Sequence, residues 1–305
     1  MGGKGKRRVI IRQHQSPGDI LMMTRALGDL KESYPHWEID VRTPCAEIFE
    51  NSPRLTPIAD DDPNVETITA TYEGIHQCGI MGQHFSDAFR DDIAGKLGVP
   101  IQKTGLRPEL WLSDEEKAWT DQVSMTFQYR GRFWLIDAGH KPDAPLKQYP
   151  YYQEVADLLN ERCPLKLVQV GHADHIHPPL SGPNVLDLIG QTDLRQLIRL
   201  AWHADGIISP ISFPMVLAAA YQKPCVVVAA ATEPIRWQCY PDHRFLTMVG
   251  SMGCAGWDGC WKSKAEDCAQ LIDGAPKCYR MISPERVADA VLSYYEGGRL
   301  NWSLR

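Results

Sequence analysis

No part of this sequence stays apolar for long. The longest apolar runs fall short of the roughly 18 to 20 residues that cross a bilayer as a helix, so no transmembrane segment is expected. No secretory leader is expected either. Residues 1–8 are rich in Gly, Lys and Arg, but the apolar stretch that follows, 9–11, is too short for a signal core. Position 6 is Lys6 rather than Ser or Thr, so Met1-Gly2 does not read as a myristoylation signal. Positive charge is not in excess: 32 Lys plus Arg stand against 38 Asp plus Glu, for a net charge of −6. Apart from Lys4, Lys6, Arg7 and Arg8, which read as a solvated tail leading into a strand, nothing has the basic footprint of a nucleic-acid binder. No internal repeat is evident. These absences predict a cytoplasmic protein without a nucleic-acid partner.

What is present is ordinary globular material. Hydrophobic residues make up 44% of the 305 positions and charged residues 23%, enough for one large domain or two of about half that length. Strands alternate with helices. Residues 8–12 (RVIIR) form a short Val/Ile-rich run that reads as a buried strand, and 13–19 is a turn-rich loop. A helix over 20–33 puts Ile20, Met23, Ala26, Leu27 and Leu30 on one face before Tyr34-Pro35 stops it. Strands follow at 38–41 and 66–70, a short helix at 46–50, and a helix at 85–97 that ends at Gly98 and Pro100. Ser113 and Glu116 make the S-x-x-E start of another helix. Near 128–132 the pattern restarts, with strands at 133–137, 165–170, 185–189, 206–209 and 225–230 and helices at 151–161, 194–204, 214–221 and 284–295. This predicts an α/β fold with mainly parallel sheets in two domains, 1–130 and 131–305. Such sheets bind ligands at the carboxyl ends of their strands, and a cleft between domains is a default ligand site.

The chemistry begins at Ser16-Pro17-Gly18-Asp19, between the first strand and its helix. Gly18 permits a tight turn and close approach of a substrate. Asp19, at a helix start, is favoured in its charged form. It is placed either as a helix cap or as a general base facing a cleft.

The stretch RVIIRQHQSPGDILMMTRALGDLKESYPHWEIDV resembles the N-terminus of glycosyltransferase family 9, the ADP-heptose:lipopolysaccharide heptosyltransferases, whose pattern here is I-I-R-x-x-S-x-G-D followed by a P-A-L-x-x-L-K helix. The resemblance gives Asp19 the role of the base that deprotonates an acceptor hydroxyl. It continues through Asp137-Ala138-Gly139 and Lys147-Gln148-Tyr149-Pro150, where the family has P-G-x and K-x-W-P, and implies that Lys147 contacts the donor phosphates. On residue type alone Lys147 is equally a surface charge. Asp187 to Arg195 (DLIGQTDLR) is similar to D-L-x-G-x-T, and Thr232-Glu233-Pro234 with Trp237 is similar to T-[DE]-P-x-x-W. The donor contacts implied are Gly18, Gly139, Lys147, Leu188, Ser212, Pro214, Met215 and Glu233. The sequence departs from the family's D-[ST]-G-x-x-H-L-A-A-A: Ile211, Phe213 and Val216 stand where Asp, Gly and His are expected, while Ser212 and the L-A-A-A run remain.

Two clusters stand apart. His172, His175 and His177 read as a metal site, a donor contact or a plain polar loop, and His14 and His140 lie in loops after strands. Cys254, Cys260, Cys268 and Cys278 gather in a Gly-rich stretch with Trp257 and Trp261, while Cys45, Cys78, Cys163, Cys225 and Cys239 are scattered. Four thiolates suit a tetrahedral structural site for zinc or iron, which would order a finger (253–279) too small to have its own core; free or disulfide-linked cysteines are the alternative. A cysteine-bearing finger also occurs in the autotransporter heptosyltransferases, which look like a subgroup of the family, with iron and a large homo-oligomer. The resemblance therefore implies a GT-B fold of two Rossmann-like domains with a cleft between them and the last helix returning to the first. It implies inverting transfer of a sugar from an ADP-sugar to a glycan or protein acceptor, with no catalytic metal. Another nucleotide sugar, or a non-catalytic binding or assembly protein on the same fold, is the alternative.

Overall fold

The computed structural model describes residues 6–72, 83–163, 165–262 and 264–295; Cys78 and Lys4 lie outside them. The chain divides into two compact units, Met1–Glu116 with Arg236–Gln238, and Lys117–Ile235 with Cys239–Arg305. No described helix is long and apolar enough to cross a membrane.

The first unit contains β1 (Arg8–Arg12), α1 (Pro17–Ser33), β2 (Glu38–Arg42), β3 (Glu66–Thr69) and α2 (Phe85–Leu97). Its described strands pair in parallel in the order β2-β1-β3. Val9, Ile10 and Ile11 are all buried, as expected of a central parallel strand, which has no solvent face. α1 begins three residues before the apolar periodicity suggests, because Ser16 takes the N-cap position and Pro17 fits the first helical turn. α2 ends where Gly98 adopts φ +64°. Between the two helices lies a buried charge network. Asp29, with a fully buried side chain, bonds Arg90 at 2.6 Å and Arg25 at 2.8 Å.

A short helix, α3 (Asp114–Ala118), carries the Ser113 hydroxyl and Glu116 carboxylate in the predicted reciprocal cap. The second unit continues with α4 (Gln122–Phe127), β4 (Phe133–Ile136), α5 (Tyr152–Arg162), β5 (Lys166–Gln169), β6 (Val185–Asp187), α6 (Leu194–His203), β7 (Gly206–Ser209), α7 (Phe213–Ala220), β8 (Cys225–Ala230), β9 (His243–Thr247), the hairpin β10 (Leu271–Ile272) and β11 (Ala275–Pro276), α8 (Lys277–Arg280) and α9 (Pro284–Leu292). Its sheet is fully parallel in the order β6-β5-β4-β7-β8-β9. The chain winds outward from β4 to one edge, returns to β7 and winds outward to the other. That is the order of a doubly wound nucleotide-binding sheet, with its switch point between β4 and β7.

The second unit starts at Lys117, earlier than the 130/131 boundary read from the pattern. Trp119 belongs with that unit: Arg199 of α6 lies 4.6 Å from its ring and His203 packs beside it. The last described helix, α9, packs on α5 and β8 of its own unit.

Candidate active site

The strand order brings two loops together at the switch point. β4 runs into Asp137-Ala138-Gly139, and β7 runs through Pro210 and Ile211 into Ser212, the N-cap residue of α7. The Ser212 hydroxyl does not cap its helix. It lies 2.7 Å from Asp137 Oδ2 and 2.7 Å from the Ser209 hydroxyl. The first amides of a helix have no partner within it, so the start of α7 presents N–H groups and the positive end of the helix dipole. Lys147 stands beside this point. Its ammonium is 2.7 Å from Glu233 Oε1 and 3.4 Å from the Ile211 carbonyl, one residue before Ser212. The structure therefore brings together four of the eight expected donor residues: Gly139, Lys147, Ser212 and Glu233.

The others are placed differently. Pro214 and Met215 occupy the first turn of α7 and both are buried; Pro214 has no N–H to offer. Leu188 is 1% exposed and its amide donates to the Gln169 carbonyl at 2.9 Å, so both its side chain and its N–H serve the sheet. Gly18 lies in the first turn of α1, in the other unit. The family departures have a packing reason at two positions: Ile211 and Val216 are buried in the apolar core.

Asp19 sits three residues into α1, half-buried, and turns back on the N-cap. It accepts the Ser16 amide at 3.2 Å and the Ser16 hydroxyl. Asp19 is thus the inner member of a capping box, with Ser16 as the cap.

Sequence reasoning singled out the histidines but not their packing. The His177 ring lies over two glycines at the carboxyl ends of β4 and β5. A Cβ at Gly139 would stand 2.3 Å from it and one at Gly171 2.0 Å, so both positions require glycine while the ring is there. His177 Nε2 meets the His172 carbonyl at 2.9 Å. His140, 7% exposed, bridges to Ile176 through paired backbone hydrogen bonds that tie the two loops together. Burial lowers the affinity of His140 for a proton, and the nearby His177 lowers it further. His172, His175 and His177 do not converge on a point: among the described residues no three His, Cys, Asp or Glu side chains are grouped closely enough to hold a metal ion. Asp137 was also missed as a participant. The only signal was an acidic residue ending a buried strand where the family has none.

The same absence of a ligating group applies to the cysteines. Cys254, Cys260, Cys268 and Cys278 nevertheless all line one small, partly open cavity of about 20 Å³, with Cys254 exposed and Cys278 buried, room for about one water-sized occupant. Burial raises the thiols of Cys260 and Cys278, and neighbouring cysteines raise them further. The cavity wall is pinned to the end of β8: the Cys260 amide donates to the Ala231 carbonyl and the Trp261 amide to the Thr232 carbonyl. The described cysteines form no disulfide.

No protein of curated function matches the sequence closely enough to count as a relative. Several solved structures share the fold. Escherichia coli ADP-heptose lipopolysaccharide heptosyltransferase II is 16% identical, with TM-score 0.58 over 94% of this chain and 98% of that one. A glycosyltransferase family 9 protein from Veillonella parvula is 13% identical, with TM-score 0.68 over 94% and 96%. The iron-containing dodecameric glycosyltransferase TibC from enterotoxigenic E. coli is 16% identical, with TM-score 0.66 over 96% of this chain and 77% of that one. A second structure of TibC, at 14% identity and TM-score 0.65, is a complex with ADP-D-β-D-heptose. The family profile of glycosyltransferase family 9 (heptosyltransferase) matches residues 91–255, more than half of the sequence. The chain belongs to glycosyltransferase family 9, the heptosyltransferases.

Proposed function

We propose that the chain transfers heptose from ADP-heptose to an acceptor hydroxyl with inversion. The observation that carries this reading is the anion-ready end of the second unit, where Lys147 lies against the carbonyl preceding the uncapped start of α7. A diphosphate there gains the helix amides and a cation, and both stabilise the nucleoside diphosphate as it leaves. Glu233 holds the lysine. Asp19 takes the proton from the acceptor hydroxyl, which attacks the anomeric carbon. The C–O bond to the diphosphate breaks, and ADP departs with that electron pair. No metal takes part in the scheme. The ADP-heptose bound by TibC supports the choice of donor. The units 1–130 and 131–305 expected from sequence then divide the labour, acceptor side and donor side.

Within the same proposal, Cys254, Cys260, Cys268 and Cys278 hold a structural zinc or iron. Support comes from the single cavity they share and from the mutual repulsion that opposes ionising two of them; a cation in the cavity would relieve that repulsion. Bound there, the metal would cross-link the finger to the end of β8. Self-association is a further expectation.

The test is calorimetric titration of the purified protein with ADP, UDP, GDP and CMP and their sugar conjugates, with metal analysis of the same sample. ADP binding weakened by Lys147→Ala supports the donor. Selective binding of another nucleotide retains the transferase and changes the sugar donor. Binding of none by the folded protein favours a non-catalytic role, to which the apolar residues Ile211 and Val216 at the family's polar positions would fit.

A further inference from the structure

Asp137 is 9% exposed and lies at the switch point of the sheet. From it runs a short chain of polar atoms. Asp137 Oδ2 is 2.7 Å from Ser212 Oγ, Ser212 Oγ is 2.7 Å from Ser209 Oγ, and Ser209 Oγ is 2.8 Å from the Pro210 carbonyl. The other carboxyl oxygen accepts the Gly139 amide at 3.3 Å.

Each of the three links needs one hydrogen between its oxygens. The two serines supply only two, and the Pro210 carbonyl supplies none. Were Asp137 ionised, one link would bring two lone pairs together with no proton between them. Ser209 is fully buried and Asp137 nearly so, while Ser212 is half-buried, so solvent reaches that contact at most from the Ser212 side. With a proton on Oδ2 the chain is complete: Asp137 donates to Ser212, Ser212 to Ser209, and Ser209 to the Pro210 carbonyl.

We propose that Asp137 is held as the neutral acid and is a positioning residue: through Ser212 it orders the switch point without adding a second negative charge, beside that of Glu233, against an incoming diphosphate. The function assigned to it rests on the donor reading above; its protonation does not. A carboxylate at this place would repel the pyrophosphate that Lys147 and α7 attract. The groups facing Asp137 are Ser212 from α7, His177 from the loop after β5, Tyr152 from α5 and the Gly139 amide on its own loop. His140 lies near His177, and Lys147 is engaged with Glu233. Burial moves the Asp137 carboxyl above the usual carboxylate range, against the opposing pull of Ser212, Gly139 and His177.

Two measurements test this. First, the infrared spectrum of the wild-type protein minus that of Asp137→Asn at neutral pH should contain the carbonyl band of a protonated carboxyl. Ser212→Ala, which removes the acceptor, should shift that band, and serves in its place if Asp137→Asn fails to fold. A carboxylate signature for Asp137 instead would overturn the proposal. Second, ADP affinity is measured from neutral to alkaline pH. The wild type should lose roughly tenfold as Asp137 ionises, the scale of one unit charge near a diphosphate in a partly buried site. Asp137→Asn keeps the donor to Ser212 and the acceptor for Gly139; it should match wild type at neutral pH and escape the alkaline loss. Parallel loss in both proteins would remove Asp137 as its cause. If the folded wild type binds no ADP at any pH, the donor reading fails, and the infrared band still decides whether Asp137 carries the proton.

Discussion

Lys147 is held by one carboxylate and one carbonyl and is half-exposed, so its loss should be felt at the ligand more than in the fold. A charge-assisted contact to phosphate is worth about 1.5–3 kcal/mol. Lys147→Ala should therefore weaken ADP binding by about ten- to a hundredfold in calorimetry, with little change in melting temperature. The glycines beneath His177 make an opposite kind of prediction. Gly171→Ala puts a methyl 2.0 Å from the ring, a clash that costs about 1–3 kcal/mol. The same change in a His177→Ala background should cost much less, and a double-mutant cycle by urea unfolding measures the difference. Lys147 and Ser212 were legible through the family resemblance, which places them by motif; residue type alone left Lys147 equally a surface charge. Asp137 and His177 were not legible as partners. Their roles arise from a contact between loops separated by more than thirty positions, and spacing along the chain carries no record of it.

At the level of elements, α1 and α2 are joined through a buried charge rather than by apolar packing alone. Asp29 neutralises both Arg25 and Arg90 from a fully buried position. Asp29→Ala removes the carboxylate that Arg25 and Arg90 share and leaves Arg25 with Glu109 and Arg90 with Asp87; the lost charge-assisted hydrogen bonds should cost about 1.5–3 kcal/mol in denaturant unfolding. Asp87, on the first turn of α2, adds a pH dependence. Burial pushes its carboxyl up, but hydrogen bonds from Arg90 and Lys103 outweigh this, and the net position is below the ordinary range. A lowered folded value means that its stabilisation is complete above the unfolded carboxylate value and is lost as pH falls through the folded one. Asp87→Asn should flatten that part of the acid limb of a stability–pH curve. Strong apolar runs such as 8–12, 133–136 and 225–230 were readable as strands because both of their faces are covered. β9 was not: four of its five residues are only half-buried, so its pattern is mixed. The hairpin of β10 and β11 and the six-residue α4 are too short to carry a period.

Across the whole molecule, the proposed base and the proposed donor residues belong to different units. Asp19 opens α1 of the first; Gly139, Lys147, Ser212 and Glu233 are all in the second. A change confined to Asp19 should therefore remove chemistry without removing nucleotide. Asp19 also has a local task, since it accepts from Ser16 at the start of α1, and deleting a capping partner costs about 0.5–2 kcal/mol. Asp19→Asn keeps an acceptor for Ser16 and loses the basic carboxylate, so it separates the two tasks better than alanine does. With Asp19 as the base, the asparagine variant should lose about 10²–10⁴-fold in kcat, the usual worth of general base catalysis. Its ADP affinity should stay unchanged, and its melting temperature should fall by less than that of Asp19→Ala. Transfer at the wild-type rate by Asp19→Asn would reduce Asp19 to its capping role and require another base. Loss of ADP affinity in the same variant would contradict the assignment of base and donor binding to separate units.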